Sequence, residues 1–249
     1  MELNYKEQFT IKFHEGDFKG NIKLFTIMDY VQQVSEGHSQ ILGVDFQSMM
    51  NKGLFWVVSR VEITMERYPK VGEDISVETC LGGHEKVFMK RRFKIKDKDG
   101  QVIGRVLIYY LIVDIETRHP QKPSMCPVDI NIDVGDVIDN KLNKIKMPGE
   151  AIETVNRELY YNDIDINNHV NNAKYVSFIE DFFSLDWHRE KKISYMQLNF
   201  IKEIKFDDSL IMNKFIEDKE SNSFCINGVS GISKQEFFQC RVKFQINVY

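Results

Sequence analysis

Hydrophobic residues follow two spacings in the first part of the chain, one typical of strands and one typical of helices. Residues 5–13 alternate between apolar and polar side chains, which predicts a strand. From residue 22 to residue 34 the apolar positions follow helical spacing, and the pattern ends before Gly43. A helix with so wide an apolar stripe is expected to be largely buried.

The next part of the chain, residues 55–113, has a strand-like pattern throughout. Segments rich in β-branched and aromatic residues are separated by short turns that contain Gly, Pro and Asp. These segments are 55–65, 74–82, 87–95 and 102–113. The order of strand, long helix and four strands predicts a curved antiparallel sheet wrapped around one central helix.

The same order recurs in the second half of the chain. A predicted strand over 154–166 and a helix that begins near Val170 are followed by four more strands. Those strands are predicted at 194–201, 209–216, 223–232 and 236–248. The recurrence indicates that the second half repeats the architecture of the first.

The two halves also align residue by residue over a short stretch. The six residues from Lys70 match the six from Lys205 at an offset of 205 − 70 = 135. The sequence therefore predicts two diverged copies of one unit, an N-terminal unit over 1–130 and a C-terminal unit over 153–249, with a connection over 131–152.

Composition and charge exclude several classes of function. With 43% hydrophobic and 28% charged residues, the chain has an ordinary globular composition, and its formal net charge of −4 makes nucleic acid an unexpected partner. The start of the chain lacks the pattern of a signal peptide, and the longest apolar run, 106–113, is too short to cross a bilayer. We therefore expect a cytoplasmic protein that does not insert into membranes.

Metal and cofactor chemistry finds no support in the sequence. The four cysteines are widely separated and form no C-x-x-C pair, and the histidines lack the spacing of metal ligands. Neither a G-x-S-x-G elbow, nor a P-loop, nor a dinucleotide fingerprint occurs. We expect neither a metal nor a cofactor.

One stretch, residues 163–172, concentrates polar groups that can take part in chemistry. Asp163, Asp165, Asn167 and His169 alternate with other residues, so an extended backbone would place an acid, an amide and an imidazole on one face. The helix that follows would direct its N-terminal N–H groups at this row, which is a place to stabilise an oxyanion. The alternative interpretation is an Asx-rich turn and helix cap without catalytic function.

The first predicted copy lacks such a row. Its corresponding turn is predicted at 14–18, which contains no Asn-x-His, and we expect it to shape a pocket.

Two stretches of the chain resemble the acyl-ACP thioesterases of plants and bacteria. They are D-I-D-I-N-N-H-V-N-N-A-K-Y-V at 163–176, and S-R-V-E-I-T-M-E-R-Y-P-K-V-G-E-D-I-S-V-E-T at 59–79. The resemblance covers almost the whole chain and implies the α+β class, as a tandem double hot-dog fold in which each unit is an antiparallel sheet wrapped around a helix.

The resemblance also implies a set of catalytic residues. The family's catalytic Asp, Asn and His fall on Asp165, Asn167 and His169, and a further acidic residue falls on Glu203. The family's cysteine after that Glu is replaced by Ile204, which excludes a cysteine nucleophile at this position and leaves the chemistry to the carboxylates.

The implied activity is hydrolysis of the thioester of fatty acyl-acyl carrier protein, which releases a free fatty acid and ends chain elongation. Asp165 and Glu203 are the candidates to activate water, Asn167 to orient it, and His169 to polarise the carbonyl. Attack by Asp165 itself to form an anhydride remains an open alternative. Hydrolysis of acyl-CoA, a hot-dog dehydratase or hydratase, and a non-catalytic acyl-binding module are further alternatives.

Substrate contacts are predicted in both units. The N-terminal unit is expected to supply the acyl-chain pocket, with Trp56, Val58 and Phe88 as candidates, although each could simply fill the core. Asn171 and Asn172 are expected near the helix start, where one could touch substrate. Acyl carrier protein is acidic, so basic clusters are candidate docking surfaces, and a homodimer is possible. The basic clusters are Arg92, Lys94, Lys96 and Lys98, and Arg189, Lys191 and Lys192.

Overall fold

The computed structural model describes residues 4–128 and 141–246. This part of the chain folds as two compact units. The first contains residues 4–61 and 65–128 with Lys141, and the second contains 62–64 and 142–246. The predicted connection falls partly outside the described residues, and from Leu142 onward it belongs to the second unit.

The first unit is a five-stranded antiparallel sheet with one long helix. Its elements are β1 (Asn4–Thr10), α1 (Leu24–Leu42), α2 (Phe46–Met50), β2 (Leu54–Met65), β3 (Asp74–Glu85), β4 (Phe88–Asp97) and β5 (Val102–Asp114), with single turns of 3₁₀ helix at Phe13–Glu15 and Pro123–Met125. The strand order is β1-β3-β4-β5-β2. The predicted strands and central helix of this unit are confirmed.

Helix α1 forms because its apolar residues fall on one face and because its end is well defined. Leu24, Ile27, Val31 and Val34 are fully buried in the core of the unit. Gly43 follows the last helical residue with φ of 66°, and its N–H donates to carbonyls of the last turn. This left-handed C-terminal position favours glycine, which explains why the apolar pattern stops there.

The second unit repeats the plan with a shorter helix. Its elements are β6 (Glu153–Arg157), α3 (Asn172–Asp181), α4 (Leu185–Glu190), β7 (Lys191–Phe200), β8 (Leu210–Asp218), β9 (Ser223–Ser230) and β10 (Glu236–Ile246), with one 3₁₀ turn at Tyr161–Asp163. The strand order is β7-β10-β9-β8-β6. The α+β class and the repeat of helix and sheet are therefore confirmed.

Helix α3 packs on its sheet through aromatic contacts. Tyr175 is buried, and its ring lies 5.0 Å from that of Phe200 and 5.4 Å from that of Phe238, both edge to face. Gly228 lets the Phe238 ring pass close to the backbone of β9, since a Cβ there would lie 2.1 Å from the ring. The packing that positions α3 thus requires glycine, which has no side chain, at position 228.

The segment from Leu142 to Met147 packs against the sheet of the second unit. Ile145 is buried with Phe215 and Cys225. The main-chain oxygen of Asn143 accepts hydrogen bonds from the side-chain amides of Gln197 and Asn199, at 2.7 and 3.1 Å. These contacts account for the burial of two amide side chains on β7.

Two details of the sequence prediction were wrong. The strand predicted over 154–166 ends at Arg157, because Asp163 accepts the Tyr160 N–H at 2.9 Å and closes a 3₁₀ turn in place of further strand pairing. The short helices α2 and α4 were not predicted. Each is short and begins at a residue whose side chain accepts a backbone N–H, Asp45 and Ser184 respectively.

The two units match each other closely in their loops. The 3₁₀ turns at Phe13–Glu15 and Tyr161–Asp163 differ by 161 − 13 = 148 positions, as do the first residues of α1 and α3. The predicted offset of 135 holds at Lys70 and Lys205, since the bridge of Asn21 with Lys70 corresponds to that of His169 with Lys205. The internal repeat is therefore confirmed.

Candidate active site

The polar stretch of the second unit folds as a tight turn. The Asp165 N–H donates to the His169 oxygen at 2.9 Å, and the Asn168 N–H donates back to the Asp165 oxygen at 3.0 Å. The Asp165 carboxylate accepts the Asn167 N–H at 2.8 Å, which makes an Asx turn. Asn168 has φ of 60°, a left-handed conformation that asparagine tolerates better than most residues.

The extended conformation predicted for this stretch was therefore wrong. Alternation of polar and apolar residues is also satisfied by a turn, in which Ile166 at the tip is 90% exposed and does not anchor the loop. Asp165 and His169 are brought together by main-chain bonds across the turn. These two residues do not lie on a common face of a strand.

His169 lies beside Glu203, the acidic residue implied by the family resemblance. His169 forms an antiparallel bridge with Lys205, and the next residue, Val170, donates its N–H to the Ile204 oxygen at 2.8 Å. This pairing places His169 Nε2 3.5 Å from Glu203 Oε1, with both side chains partly exposed. An imidazole and a carboxylate that solvent and substrate can reach are thus held next to each other.

The start of α3 is capped by Asn171. Its side-chain oxygen accepts the Ala173 N–H at 2.8 Å, and its main-chain oxygen accepts the Lys174 N–H at 2.9 Å. These two N–H groups are therefore occupied and cannot stabilise an oxyanion, contrary to the sequence-based expectation for the helix terminus. Asn172 is the first helical residue and is partly buried.

Asp163 supports the turn from inside. It is 5% exposed, its carboxylate accepts the Tyr160 N–H, and Lys174 Nζ lies 4.0 Å from its second oxygen. Its main-chain oxygen also accepts the Asn171 N–H at 2.9 Å. Asp163 thus caps local backbone and is buried, unlike Asp165 and Glu203, whose carboxylates are at least partly exposed.

Tyr175 is a site residue that the sequence pattern assigned only to the apolar stripe of α3. Burial raises the pKa of its phenol, and the negative charges of Glu203 and Asp165 add to this increase, while a hydrogen bond from the Ile204 backbone acts against it. The Tyr175 hydroxyl therefore stays protonated at neutral pH, and the charges of both carboxylates act on it. The final Tyr of the motif D-x-N-x-H-V-N-N-x-x-Y was the signal that could have found it.

The first unit contains the same turn with different side chains. The Asp17 N–H donates to the Asn21 oxygen at 2.7 Å, and the Asp17 carboxylate accepts the Lys19 N–H at 2.8 Å. At an offset of 148, Asp17, Lys19 and Asn21 stand where the second unit has Asp165, Asn167 and His169. The counterpart of Glu203 is Tyr68, which is buried. The predicted match with residues 14–18 was therefore several residues too early, but the absence of Asn-x-His there holds.

A cavity of about 200 Å³ lies within the first unit, between α1 and the sheet. Trp56 and Val58, two of the predicted acyl-chain contacts, line it, and the Trp56 indole donates to the Val44 oxygen at 2.8 Å. Phe88 is not among the lining residues. Its ring packs 5.7 Å from that of Tyr109 and 4.7 Å from the Arg60 guanidinium.

Sequence profiles identify the family. The profile of the acyl-ACP thioesterase N-terminal domain matches residues 2–125, and that of the C-terminal domain matches residues 149–246. The chain belongs to the acyl-ACP thioesterase family. The predicted catalytic turn and Glu203 both lie in the C-terminal domain of this acyl-ACP thioesterase family member, and the cavity is lined mainly by its N-terminal domain.

Two plant relatives illustrate the sequence similarity. The chain is 26% identical over 225 residues to the chloroplastic dodecanoyl-[acyl-carrier-protein] hydrolase of Umbellularia californica, a match that covers 84% of this chain and 58% of that protein. It is 24% identical over 255 residues to the chloroplastic oleoyl-acyl carrier protein thioesterase 1 of Arabidopsis thaliana, covering 94% of this chain and 70% of that protein. The chain thus spans little more than half of the Umbellularia protein.

Solved structures share the fold. An acyl-ACP thioesterase from Bacteroides thetaiotaomicron superposes with a TM-score of 0.82 at 23% identity, covering 97% of this chain and 98% of that one. The 12:0-ACP thioesterase from Umbellularia californica gives a TM-score of 0.84 at 23% identity, covering 99% of both chains. The predicted fold, two tandem units of hot-dog type, is confirmed.

Membrane-spanning helices and clusters of metal ligands are both absent from residues 4–128 and 141–246. No helix in these ranges combines the length and the apolar character that crossing a membrane requires. In the same part of the chain, no group of three or more His, Cys, Asp or Glu side chains is placed to hold a metal ion.

Proposed function

We propose that this protein hydrolyses the thioester of fatty acyl-acyl carrier protein and releases the free fatty acid. The observation that carries the proposal is the accessible His169–Glu203 pair, held by main-chain pairing beside the turn that presents Asp165. Thioester hydrolysis needs a base for water and polar groups around the carbonyl, and this cluster contains both. Family membership and the plant relatives named as acyl-carrier-protein hydrolases support the same activity.

The roles follow from what each side chain is bonded to. Glu203 and Asp165 are the accessible carboxylates, so one or both activate water, and Glu203 also orients the imidazole of His169. The side-chain amide of Asn167 has no hydrogen-bond partner among the described residues, which leaves it available to water or to the thioester carbonyl. Because the N–H groups of Ala173 and Lys174 are occupied, polarisation of the carbonyl falls to His169 and Asn167.

Two routes of attack are compatible with the turn. Activated water can attack the thioester carbon directly, or Asp165 can attack and form a mixed anhydride that water then cleaves. Single-turnover hydrolysis in ¹⁸O-labelled water, followed by mass analysis of the peptide that contains Asp165, tests the anhydride route. Label in the Asp165 carboxylate shows that water has cleaved an anhydride at the Asp165 carbonyl, and it excludes direct attack by water as the sole route.

The acyl chain, in this proposal, is bound by the cavity of the first unit, with Trp56 and Val58 in contact with it. Phe88 lies outside the lining and would act only through its neighbour Tyr109. Asn171 and Asn172 remain candidate substrate contacts through their positions at the start of α3.

Acyl carrier protein is the proposed partner, and its acidic surface calls for basic side chains. The predicted basic clusters are partly neutralised, because Lys96 pairs with Glu78 at 2.7 Å and Arg189 pairs with Asp186. Lys191 lies 3.6 Å from the centre of the Trp187 ring. If acyl carrier protein docks through the remaining positive charge, the activity should fall as the salt concentration rises. A homodimer and a cytoplasmic location remain predictions.

The test is release of free thiol from a saturated acyl-ACP, compared with the same acyl-CoA. Thiol release from acyl-ACP with the higher kcat/KM supports the proposal, and a higher kcat/KM for acyl-CoA indicates an acyl-CoA thioesterase. A dehydratase has nothing to eliminate from a saturated chain. Absence of thiol release together with dehydration of a hydroxyacyl substrate would therefore contradict the proposal.

A further inference from the structure

The cavity of the first unit has two unlike walls. One wall is apolar and includes Val44, Trp56, Leu81 and Met89. The other carries hydrogen-bonding side chains of the helix and sheet, namely Gln32, Ser35, Glu36, Ser39, Lys90, Arg91 and Tyr110. A plain alkyl chain matches only the first wall, since methylene groups cannot replace the hydrogen bonds that water makes with the second.

Arg91 is the most unusual of these residues. It is 6% exposed, and three of its guanidinium N–H groups donate to α1: to the Ser35 oxygen at 3.4 Å, to His38 Nδ1 at 3.1 Å and to Ser39 Oγ at 3.1 Å. All three partners are neutral acceptors. A guanidinium has five N–H donors, so two remain without a partner among the described residues.

The second unit shows that the fold does not need polar groups at this place. Leu81 of β3 lies opposite Arg91, and Ile216 of β8, at the offset of 135 from Leu81, lies opposite Phe224. Phe224 therefore corresponds to Arg91. In the second unit this place is filled by rings, with Phe183 4.5 Å from Phe244 and 5.4 Å from Phe224, and with Trp187 5.5 Å from both.

In the first unit the corresponding positions carry no such cluster of rings, and they line the cavity instead. At the offset of 148, Ser35 and Ser39 correspond to Phe183 and Trp187. Ser35 Oγ and the Tyr110 hydroxyl are 3.2 Å apart, so the serine is tied to the sheet through a hydrogen bond in place of ring packing. Empty cavities in proteins are typically apolar, whereas a polar cavity of this size holds water or a ligand.

The charges around the cavity narrow the class of ligand. Glu36 and Lys90 line the same space; the charge of Glu36 acts on the Arg91 guanidinium, and that of Lys90 acts on the Glu85 carboxylate. An anionic ligand would therefore gain from Arg91 and lose from Glu36, and its gain from Lys90 would be reduced by Glu85. A neutral oxygen acceptor gains from the unused N–H donors without that opposition.

We propose that this cavity binds an acyl chain bearing a hydroxyl or keto oxygen, and that Arg91, with Tyr110 and Ser39, selects it over a plain saturated chain. The proposal rests on the proposed thioesterase function. A site that donates hydrogen bonds to a substrate oxygen discriminates against the analogue that lacks it, because the buried donors are then left unpaired.

The experiment compares kcat/KM for a saturated acyl-ACP with that for isomers of equal length bearing one hydroxyl or keto group at successive carbons, and with an ω-carboxylated chain. We expect at least one hydroxyl or keto isomer to exceed the saturated chain by about tenfold or more, the range of a hydrogen bond to a charged donor. Arg91→Met should abolish this preference and Tyr110→Phe should reduce it. Arg105→Met, which removes an exposed arginine of the same unit that pairs with Glu66, should retain it.

Equal or better hydrolysis of the saturated chain against every isomer overturns the proposal, as does a preference that survives Arg91→Met. A preference for the ω-carboxylated chain overturns the assignment of a neutral oxygen. If Arg91→Met fails to fold, as judged by circular dichroism, Ser39→Ala and Tyr110→Phe carry the same test. If no acyl-ACP is hydrolysed, the proposed function fails by itself, and the relative affinity for free hydroxy and saturated fatty acids then decides the inference.

Discussion

Replacing Asp165 by Asn separates the chemistry of the catalytic turn from its folding. The Asp165 carboxylate accepts the Asn167 N–H at 2.8 Å, and an amide oxygen at the same place can accept that bond. The main-chain bonds between Asp165 and His169 and between Asn168 and Asp165 are unaffected. We therefore expect Asp165→Asn to change the free energy of unfolding by less than about 1 kcal/mol.

Activity should respond very differently. If Asp165 activates water or attacks the thioester, its loss should lower kcat by at least about a hundredfold, since positioned acid–base groups contribute about 10² to 10⁴. A hundredfold loss corresponds to about 2.7 kcal/mol of transition-state stabilisation. The effect on the reaction is thus expected to exceed the effect on folding by a wide margin.

The first unit supplies a matched control. The Asp17 carboxylate accepts the Lys19 N–H at 2.8 Å in the same kind of Asx turn, and also the Asn21 N–H at 2.9 Å, in a turn without the imidazole. An amide oxygen at this place can accept the same bonds. Asp17→Asn should therefore match Asp165→Asn in urea denaturation while keeping wild-type hydrolysis of acyl-ACP. Wild-type kcat for Asp165→Asn, or an equal loss of kcat in both variants, would refute the reasoning.

Three further predictions follow from the same structure. His169→Asn, which copies the residue at Asn21 in the first unit, should lower kcat by about a hundredfold with an unchanged urea midpoint; a parallel loss of stability would assign His169 a folding role instead. Asn168→Gly should leave stability within about 0.5 kcal/mol and Asn168→Ala should cost about 1 kcal/mol, because φ is 60° there; equal midpoints in urea would contradict this. Gly228→Ala should destabilise the protein by about 1–3 kcal/mol, since the new Cβ would meet the Phe238 ring; an unchanged melting temperature would show that the ring moves freely.

Much of the fold could be predicted because it is encoded in periodic burial. The apolar stripe that ends at Gly43 and the strands punctuated by turns each carry their signal within a few consecutive residues. The 3₁₀ turn at Tyr161–Asp163 could not be found in this way. Its cause is a single carboxylate, that of Asp163, bonding the Tyr160 N–H, and the same residues also fit an alternating strand.

The residues of the candidate site also differ in whether local sequence could predict them. Asp165, Asn167 and His169 stand close in sequence, so their residue types drew attention to the turn. Glu203 was reached only through the family resemblance, because its position next to His169 depends on pairing between residues far apart in the chain. Tyr175 looked like a core residue, because helical periodicity reports only that its ring is buried and does not show that the charges of Glu203 and Asp165 act on its hydroxyl.

The polar lining of the first-unit cavity could not be predicted from hydrophobic periodicity, for a different reason. Arg91 stands in a β-strand pattern in which a charged residue is normally taken to face solvent. Its inward direction follows from the bonds it makes to the helix, to Ser35, His38 and Ser39. Such contacts between distant segments become visible only when helix and sheet are placed together.

The turn of the first unit has a practical consequence for engineering. Its main-chain bonds match those of the catalytic turn, and the Asp17 carboxylate accepts the Lys19 N–H as the Asp165 carboxylate accepts the Asn167 N–H. Changing Lys19 to Asn and Asn21 to His would therefore install the amide and imidazole on a ready-made support. The buried Tyr68, which occupies the place of Glu203, would then be the remaining obstacle to a second reactive centre in one polypeptide.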